Sequence, residues 1–425
     1  MKLTSYWLDT ATPAGDFRRS ELPKRVDVAV VGAGLTGLST ALHLARDGAS
    51  VALLEARTVG WGASGRNGGM ATTGLAVGYG TAARRYGRPR AAAMFAAYND
   101  AIDTVEKLVA DEGIDCNFER VGKLTLAAKT SHYEGFGRTA EMLAEDVGQE
   151  LMLVPASELR KEIGSDFYRG GMVDPLGAGV HVGKLVAGLA RAGSRAGVSI
   201  HEACEVYELR RLNGRRYDVL TSRGTIRADR VVVGTSGYSG RMLPWLQRRL
   251  VPIGSFVLVT EPLADEVVDG LLPQRRVAAD TNRVCLYFRL TPDKRLLFGG
   301  RARFSASDRD ADLTSGRILH RQLLQVFPQL TNTRIDYCWG GLVDMSLDQM
   351  VHAGERDGVL YSVGYSGHGV QMATHMGKVM AQMANGVGSA NPWRDLRFPP
   401  VPGYFGTPWF LPPAGVLFKF LDRVS

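Results

Sequence analysis

The residues best suited to chemistry lie near the start of the chain. Val26-Asp27-Val28-Ala29-Val30-Val31 runs into Gly32-Ala33-Gly34-Leu35-Thr36-Gly37, then a helical stretch, then Val51-Ala52-Leu53-Leu54-Glu55. Strand, glycine turn, helix, strand and acid in this order fit a nucleotide diphosphate. Gly32 makes the tight turn, Gly34 lets the backbone approach a pyrophosphate, and Gly37 allows close packing of helix on strand. The free N–H groups and dipole at the helix start, around Leu35 and Thr36, favour phosphate. Glu55 lies 18 residues past Gly37, in reach of adenosine ribose hydroxyls, with Ala56 and Arg57 beside it.

A second glycine turn stands more than three hundred residues later. Val359–Gly364 reads as a strand, Tyr365-Ser366-Gly367-His368-Gly369-Val370 as the turn, and about 370–385 as a helix. It makes another anion-binding corner. Two such corners suit FAD. The pyrophosphate takes the first, and the N1–C2=O2 edge of the isoalloxazine, which gains negative charge on reduction, takes the second. A nicotinamide dinucleotide offers no comparable second anion. Between the two, Gly60-Trp61-Gly62-Ala63-Ser64-Gly65-Arg66-Asn67-Gly68-Gly69-Met70 is too glycine-rich for a helix interior or strand. It is either a loop that approaches something flat or an ordinary surface loop.

These motifs need a scaffold. With 425 residues the chain exceeds one compact core, and two intertwined domains are expected. The net charge of +8 comes mostly from scattered arginine pairs such as Arg84-Arg85 and Arg248-Arg249, read as solvated surface. No basic stripe suggests nucleic acid. Cysteines 116, 204, 285 and 338 show neither Cys-x-x-Cys nor metal-ligand spacing, and the N-terminus has no apolar signal core, so a cytoplasmic protein is expected. No run approaches the ~20 apolar residues of a membrane span. Trp409–Pro413 and Val416–Leu421 are read as a docked tail, with weak membrane-surface contact as the alternative.

Helices are expected at 91–112 and Val182–Ala196. Strands are expected at 120–128, 151–154, Val198–Val206, Arg216–Leu220 and Ile226–Gly234, with Asn213-Gly214 as a hairpin turn. Pro252–Thr260, Arg283–Leu290 and Arg295–Phe304 form a β-rich stretch.

The chain resembles the FAD-dependent D-amino-acid oxidase superfamily in its glycine/sarcosine-oxidase-like branch. Within that branch it is most similar to the gamma-glutamylputrescine oxidases and related amine-oxidising flavoproteins. The resemblance rests on Ser5-Tyr6-Trp7, Gly62–Gly69, Asp174–His181, Tyr287-Phe288-Arg289, Leu297–Gly300, Ile335–Trp339 and Gly364–Val370. It implies an α/β fold: a Rossmann-type FAD-binding domain built from discontinuous segments (1–90, 151–245, 338–390) and a second α+β substrate domain containing an antiparallel sheet (91–150, 246–337), with 391–425 as a tail. By the same resemblance Gly32, Gly34, Leu35, Thr36, Gly37, Glu55, Ala56 and Arg57 hold the ADP half, and Val206 meets the adenine. Ala63, Ser64, Arg66, Asn67, Gly68 and Gly69 follow the pyrophosphate, ribityl chain and flavin. Thr235 and Gly237 join the cofactor site, and Gly367, His368, Gly369 and Val370 face N1 and O2.

Departures from the family pattern are informative. Relatives that attach flavin through Cys have Gly341 at the matching position here, with Cys338 displaced from it, and those using His have Gly62. Non-covalent FAD is therefore expected. Sarcosine-oxidase-like relatives bind the substrate carboxylate with a Lys two residues after the Gly-His-Gly turn, where this chain has Gln371. The Lys that aids oxygen reaction is matched by Leu297.

The implied reaction is oxidation of an amine to an imine and then an aldehyde, by hydride transfer to flavin N5. Oxygen accepts the electrons and becomes hydrogen peroxide, and the preferred substrate is gamma-glutamylputrescine or a related polyamine-derived amine. The alternatives are an amine or D-amino-acid dehydrogenase serving an electron carrier, and a non-catalytic flavoprotein subunit. No triad or metal is needed. His368 is expected beside the flavin or as a structural His. Tyr287 and Arg289 share one strand face, Tyr287 flanking substrate and Arg289 pairing with a carboxylate or forming an ordinary ion pair. Arg301 is a weaker candidate of the same kind, and Trp339 is an aromatic wall or a core residue.

Overall fold

The computed structural model describes residues 1–300, 308–388, 391–406, 408–411, 413 and 415. Two eight-stranded sheets organise them. Arg25–Val31 buries Val28 through Val31 on both faces, so it can only be a central strand. It pairs in parallel with Val51–Leu54 on one side and Gly224–Val233 on the other. Ser199–His201 extends the sheet beyond Val51–Leu54 and Val359–Val363 extends it beyond Gly224–Val233, both in parallel. Parallel strands end at one edge. Both glycine turns, after Val31 and after Val363, therefore open on the same side of the sheet.

The two following helices, Leu35–Arg46 and Gly369–Ala384, cross in close contact. The Ser39 hydroxyl donates to the Thr374 carbonyl at 2.7 Å, and a Cβ on Gly377 would lie 2.5 Å from that of Ser39. Only glycine permits this approach, which holds the two helix N-termini together.

The second sheet runs Ile335–Met345, Val251–Thr260, Leu296–Gly300, Leu286–Leu290, Val277–Asp280, Lys123–Leu126, Gly170–Asp174 and Met152–Pro155. It is antiparallel except where Val277–Asp280 meets Lys123–Leu126. Its membership corrects the expected boundaries: Met152–Pro155 and Gly170–Asp174 pair with this sheet rather than the first. Ile335–Met345 runs across the boundary placed at 338, because its whole length is needed to pair with Val251–Thr260. Val198–Val206 is not one strand: Ser199–His201 joins the first sheet, while Val206–Arg211 begins a hairpin turning at Asn213-Gly214. The helices Thr130–Val147 and Arg309–Val326 were not anticipated. Each buries only part of a mostly polar surface.

The N-terminal Ser5-Tyr6-Trp7 is part of the core. Trp7 is fully buried, and its ring meets His181 edge-on at 4.9 Å. His181 caps the helix Val182–Arg195 by accepting from the Lys184 amide at 3.2 Å, and its other ring nitrogen faces the Thr10 hydroxyl at 3.0 Å. Burial pushes its pKa down to about 4. The fold thus favours neutral His181; its stabilisation is complete above an unfolded value of about 6.5 and is lost as pH falls toward 4. Between pH 7 and 5 this one group should cost about 2 kcal/mol. His181→Asn keeps a cap acceptor and should show a smaller fall in melting temperature over that range; an identical fall would refute the assignment.

No helix among the described residues is long and apolar enough to cross a membrane. Near the C-terminus Leu411 is buried with Val251, Ile253, Val401 and Tyr404. That part of the tail is docked. The run from Val416 and Arg301 both lie outside the described residues.

Candidate active site

A cavity of about 1320 Å³ extends from the first glycine turn, past the second, to the second sheet. At its nucleotide end lie Gly32, Gly34, Leu35, Thr36, Glu55, Ala56, Arg57 and Val206. Gly32 has a φ of +98°, which explains its identity. Gly37 lies behind the turn rather than on the cavity, and a Cβ there would come within 1.8 Å of the Gly32 carbonyl oxygen. The Leu35 amide donates to the Ser64 hydroxyl at 2.9 Å. The next two amides, of Thr36 and Gly37, have no partner among the described residues, which leaves donors at the helix mouth for an anion. Glu55 accepts from the amides of Ala33 at 2.9 Å and Arg57 at 2.8 Å, and burial pushes its pKa up.

The Gly60–Met70 loop is braced from all sides. Asn67 donates to the carbonyls of Ala63 and Ser64, both at 3.0 Å, and accepts from the Gly69 amide. Ser5 donates to the Gly65 carbonyl and the Trp7 indole to that of Asn67. Ala63, Ser64, Asn67 and Gly68 face the cavity. Arg66 does not: it bonds the carbonyls of Trp61 and Gly340 and ties the loop to the strand Ile335–Met345. Gly69 also lies outside the lining, and its carbonyl accepts from Arg289. Thr235 lines the cavity, whereas Gly237 packs against Leu342 and Asp344.

At the second turn, Asp344 accepts from the Gly364 amide at 2.6 Å. Gly367 has a φ of +95°. Gly367, His368, Gly369 and Val370 all line the cavity, and the amides of Gly369 and Val370 have no partner among the described residues. The Tyr365 hydroxyl meets Thr36 at 2.8 Å and Ser362 at 2.9 Å, linking the two turns directly. His368 stands edge-on to Tyr98 with ring centroids 6.0 Å apart.

Of the side chains singled out for substrate, Tyr287 and His368 line the cavity and three do not. Tyr287 lies over Gly68, where a Cβ would be 2.9 Å from its ring, and its hydroxyl meets Ser255 at 3.2 Å. Arg289 is on the same strand face but beyond the cavity. It is buried, donates to the carbonyls of Gly69, Val180 and Leu290, and burial lowers its pKa to about 10. Its role is a backbone brace rather than a carboxylate partner. Trp339 is a core residue whose indole donates to the Arg66 carbonyl at 2.9 Å. Gln371 is fully buried, outside the cavity lining, and donates one amide N–H to the Thr72 carbonyl at 2.5 Å, while its carboxamide oxygen has no partner among the described residues. Leu297 is likewise core.

The sequence reading missed Lys123, Thr125, Asp280, Asn282 and Arg283, which line the far end. A signal existed: Lys123 and Thr125 alternate with the buried Leu124 and Leu126, as on a strand with one polar face. Nothing local indicated that this face met a cavity.

The family described as DAO, FAD dependent oxidoreductase, matches residues 27–383. The chain belongs to this family. It is 32% identical over 385 residues to gamma-glutamylputrescine oxidoreductase of Escherichia coli strain K12, covering 90% of this chain and 89% of that protein. It is also 32% identical to the probable oxidoreductase OrdL of Haemophilus influenzae, covering 89% and 87%. Among solved structures, glycine oxidase from Geobacillus kaustophilus aligns with a TM-score of 0.74 at 20% identity, over 88% of this chain and 99% of that one. At that identity the likeness is one of fold: the mixed sheet from discontinuous strands and the second, mostly antiparallel sheet are those of the family.

As a DAO-family member the protein is an FAD-dependent oxidoreductase of the amino-acid and amine oxidase type. The residues fit the cofactor, because both free helix mouths and the flat glycine loop open on one cavity.

Proposed function

We propose that the protein oxidises the primary amine of a polyamine-derived substrate of the gamma-glutamylputrescine type, using non-covalently bound FAD and oxygen. The observation that carries this reading is the similarity to gamma-glutamylputrescine oxidoreductase over nine-tenths of both chains. Gln371 agrees with it: a neutral carboxamide that spends one N–H on the Thr72 carbonyl stands where sarcosine-oxidase-like relatives hold a carboxylate with a lysine cation. Non-covalent attachment is supported by Cys338, which lies buried against the helix Arg309–Val326 with its thiol pKa pushed up to about 12. Gly341 of the same strand faces Arg66 on the opposite side.

When bound, FAD supplies the acceptor for the hydride of the amine carbon. The chain's own work is positioning and exclusion of water. Tyr287 and His368 border the space near the second turn, and the amides of Gly369 and Val370 offer donors to developing negative charge.

Anaerobic mixing of the holoenzyme with a panel of amines, N-acylated diamines and amino acids tests the reading. The flavin should lose its yellow colour with N-acylated diamines and regain it rapidly in air. Bleaching by α-amino acids alone would refute the substrate class. Slow reoxidation would favour a second reading, transfer to an electron carrier, which Leu297 supports by occupying the position where oxidase relatives carry Lys.

A further inference from the structure

We propose that Lys123 is the cation that recognises a carboxylate at the far end of the substrate, distant from the amine that is oxidised. The inference deepens the amine reading above and rests on it. Lys123 lies on the strand Lys123–Leu126 of the second sheet, and its side chain lines the cavity. Its ammonium has one hydrogen bond, to the Thr73 carbonyl at 3.1 Å, and no salt bridge among the described residues. An ammonium has three donors, so two remain for a ligand.

The acid best placed to neutralise it is already committed. Asp174 sits opposite Lys123 in the strand register. Its carboxylate accepts from Thr73 at 2.5 Å and from Gln149 and the Leu176 amide, both at 3.0 Å. Burial lowers the Lys123 pKa, and Asp174 offsets this only in part. A desolvated cation with open donors is costly to keep, and an incoming anion is what relieves that cost.

The placement relative to the flavin corner is fixed through the backbone. Gln371, one residue past the second turn, grips the Thr72 carbonyl, and the adjacent Thr73 carbonyl receives Lys123. Lys123 thus meets, from the cavity wall contributed by the other sheet, the residue next to the one held by the helix that begins at Gly369. A substrate that bridges the two would have its amine toward the turn and its carboxylate toward Lys123. Thr125, on the same strand face, and Asn282 also line the cavity and supply polar neighbours.

Two measurements on the FAD-loaded protein test this. In the first, glutarate is titrated into wild type, Lys123→Met and Lys123→Arg while the flavin absorption spectrum is followed. Glutarate should perturb the wild-type spectrum, bind at least tenfold more weakly to Lys123→Met, and recover in part in Lys123→Arg. In the second, anaerobic flavin reduction compares gamma-glutamylputrescine with N-acetylputrescine, which has the same amine and no carboxylate. Lys123→Met should lose at least tenfold more of the second-order rate constant for flavin reduction on the first than on the second. Glutarate that fails to bind wild type, or binds Lys123→Met equally, overturns the proposal, as do equal losses on both amines. If neither amine bleaches wild-type flavin, the amine reading fails, and the glutarate titration still decides the role of Lys123.

Discussion

Gly34→Val is expected to yield folded protein that purifies without FAD. Gly34 stands at the N-terminus of the helix Leu35–Arg46, in extended backbone, and it lines the cavity. A Cβ there would come within 2.8 Å of the Ser64 hydroxyl, the group that accepts from the Leu35 amide. Valine would therefore push on the phosphate-facing loop and also occupy the space into which a pyrophosphate must come. Losing two charge-assisted hydrogen bonds, each about 1.5–3 kcal/mol, would weaken FAD binding by about a hundredfold or more. The ratio of absorbance at the flavin and protein bands, with far-UV circular dichroism as a control on folding, measures it. A folded variant carrying full FAD would overturn the assignment of the first turn.

Arg289→Met should destabilise the protein by about 3 kcal/mol rather than alter substrate affinity. Arg289 is buried and bonds carbonyls from three segments: Gly69 in the flavin loop, Val180 before the helix Val182–Arg195, and Leu290 on its own strand. Methionine fills the space but removes three charge-assisted hydrogen bonds, the Gly69 carbonyl keeping only its bond from the Val180 amide, at about 1 kcal/mol or more per lost bond. Because Gly69 is one of those carbonyls, FAD retention should fall together with the melting temperature. An Arg289→Met protein with wild-type melting behaviour and a raised KM alone would restore it to the substrate site.

Comparing these two residues shows what was legible. Gly34 and its partners Gly32, Gly37 and Glu55 belong to one contiguous βαβ unit, where a positive φ at Gly32 and the near-contact behind Gly37 restrict the residue types. Those constraints are local, so they are written in the sequence. The strand face shared by Tyr287 and Arg289 was legible for the same reason, since alternation is a property of a single strand. Their different fates were not. Tyr287 opens on the cavity because Gly68 lies beneath its ring, and Arg289 is consumed by carbonyls 220 and 109 residues away in the chain.

Gln371 and Lys123 make the same point about charge. Counting past the second turn found Gln371 but not its orientation, which depends on the Thr72 carbonyl from a segment 299 residues away in the chain. Lys123 looked like any lysine on an alternating strand. It became a cavity cation only when that strand paired in parallel with Val277–Asp280.

By itself, then, the amino-acid sequence determined the two anion-binding turns, the cofactor class they imply, and the polarity of each strand face, because glycine conformation, helix ends and strand alternation are short-range. Tertiary structure alone decided that both turns open on one cavity, through the parallel order of Val359–Val363, Gly224–Val233 and Arg25–Val31 and the close crossing at Ser39 and Gly377. It also decided which polar side chains are spent on backbone carbonyls and which face the cavity. That allocation follows from desolvation: once a segment is buried, its carbonyls take the nearest donor, and only a donor beyond their reach remains for a ligand.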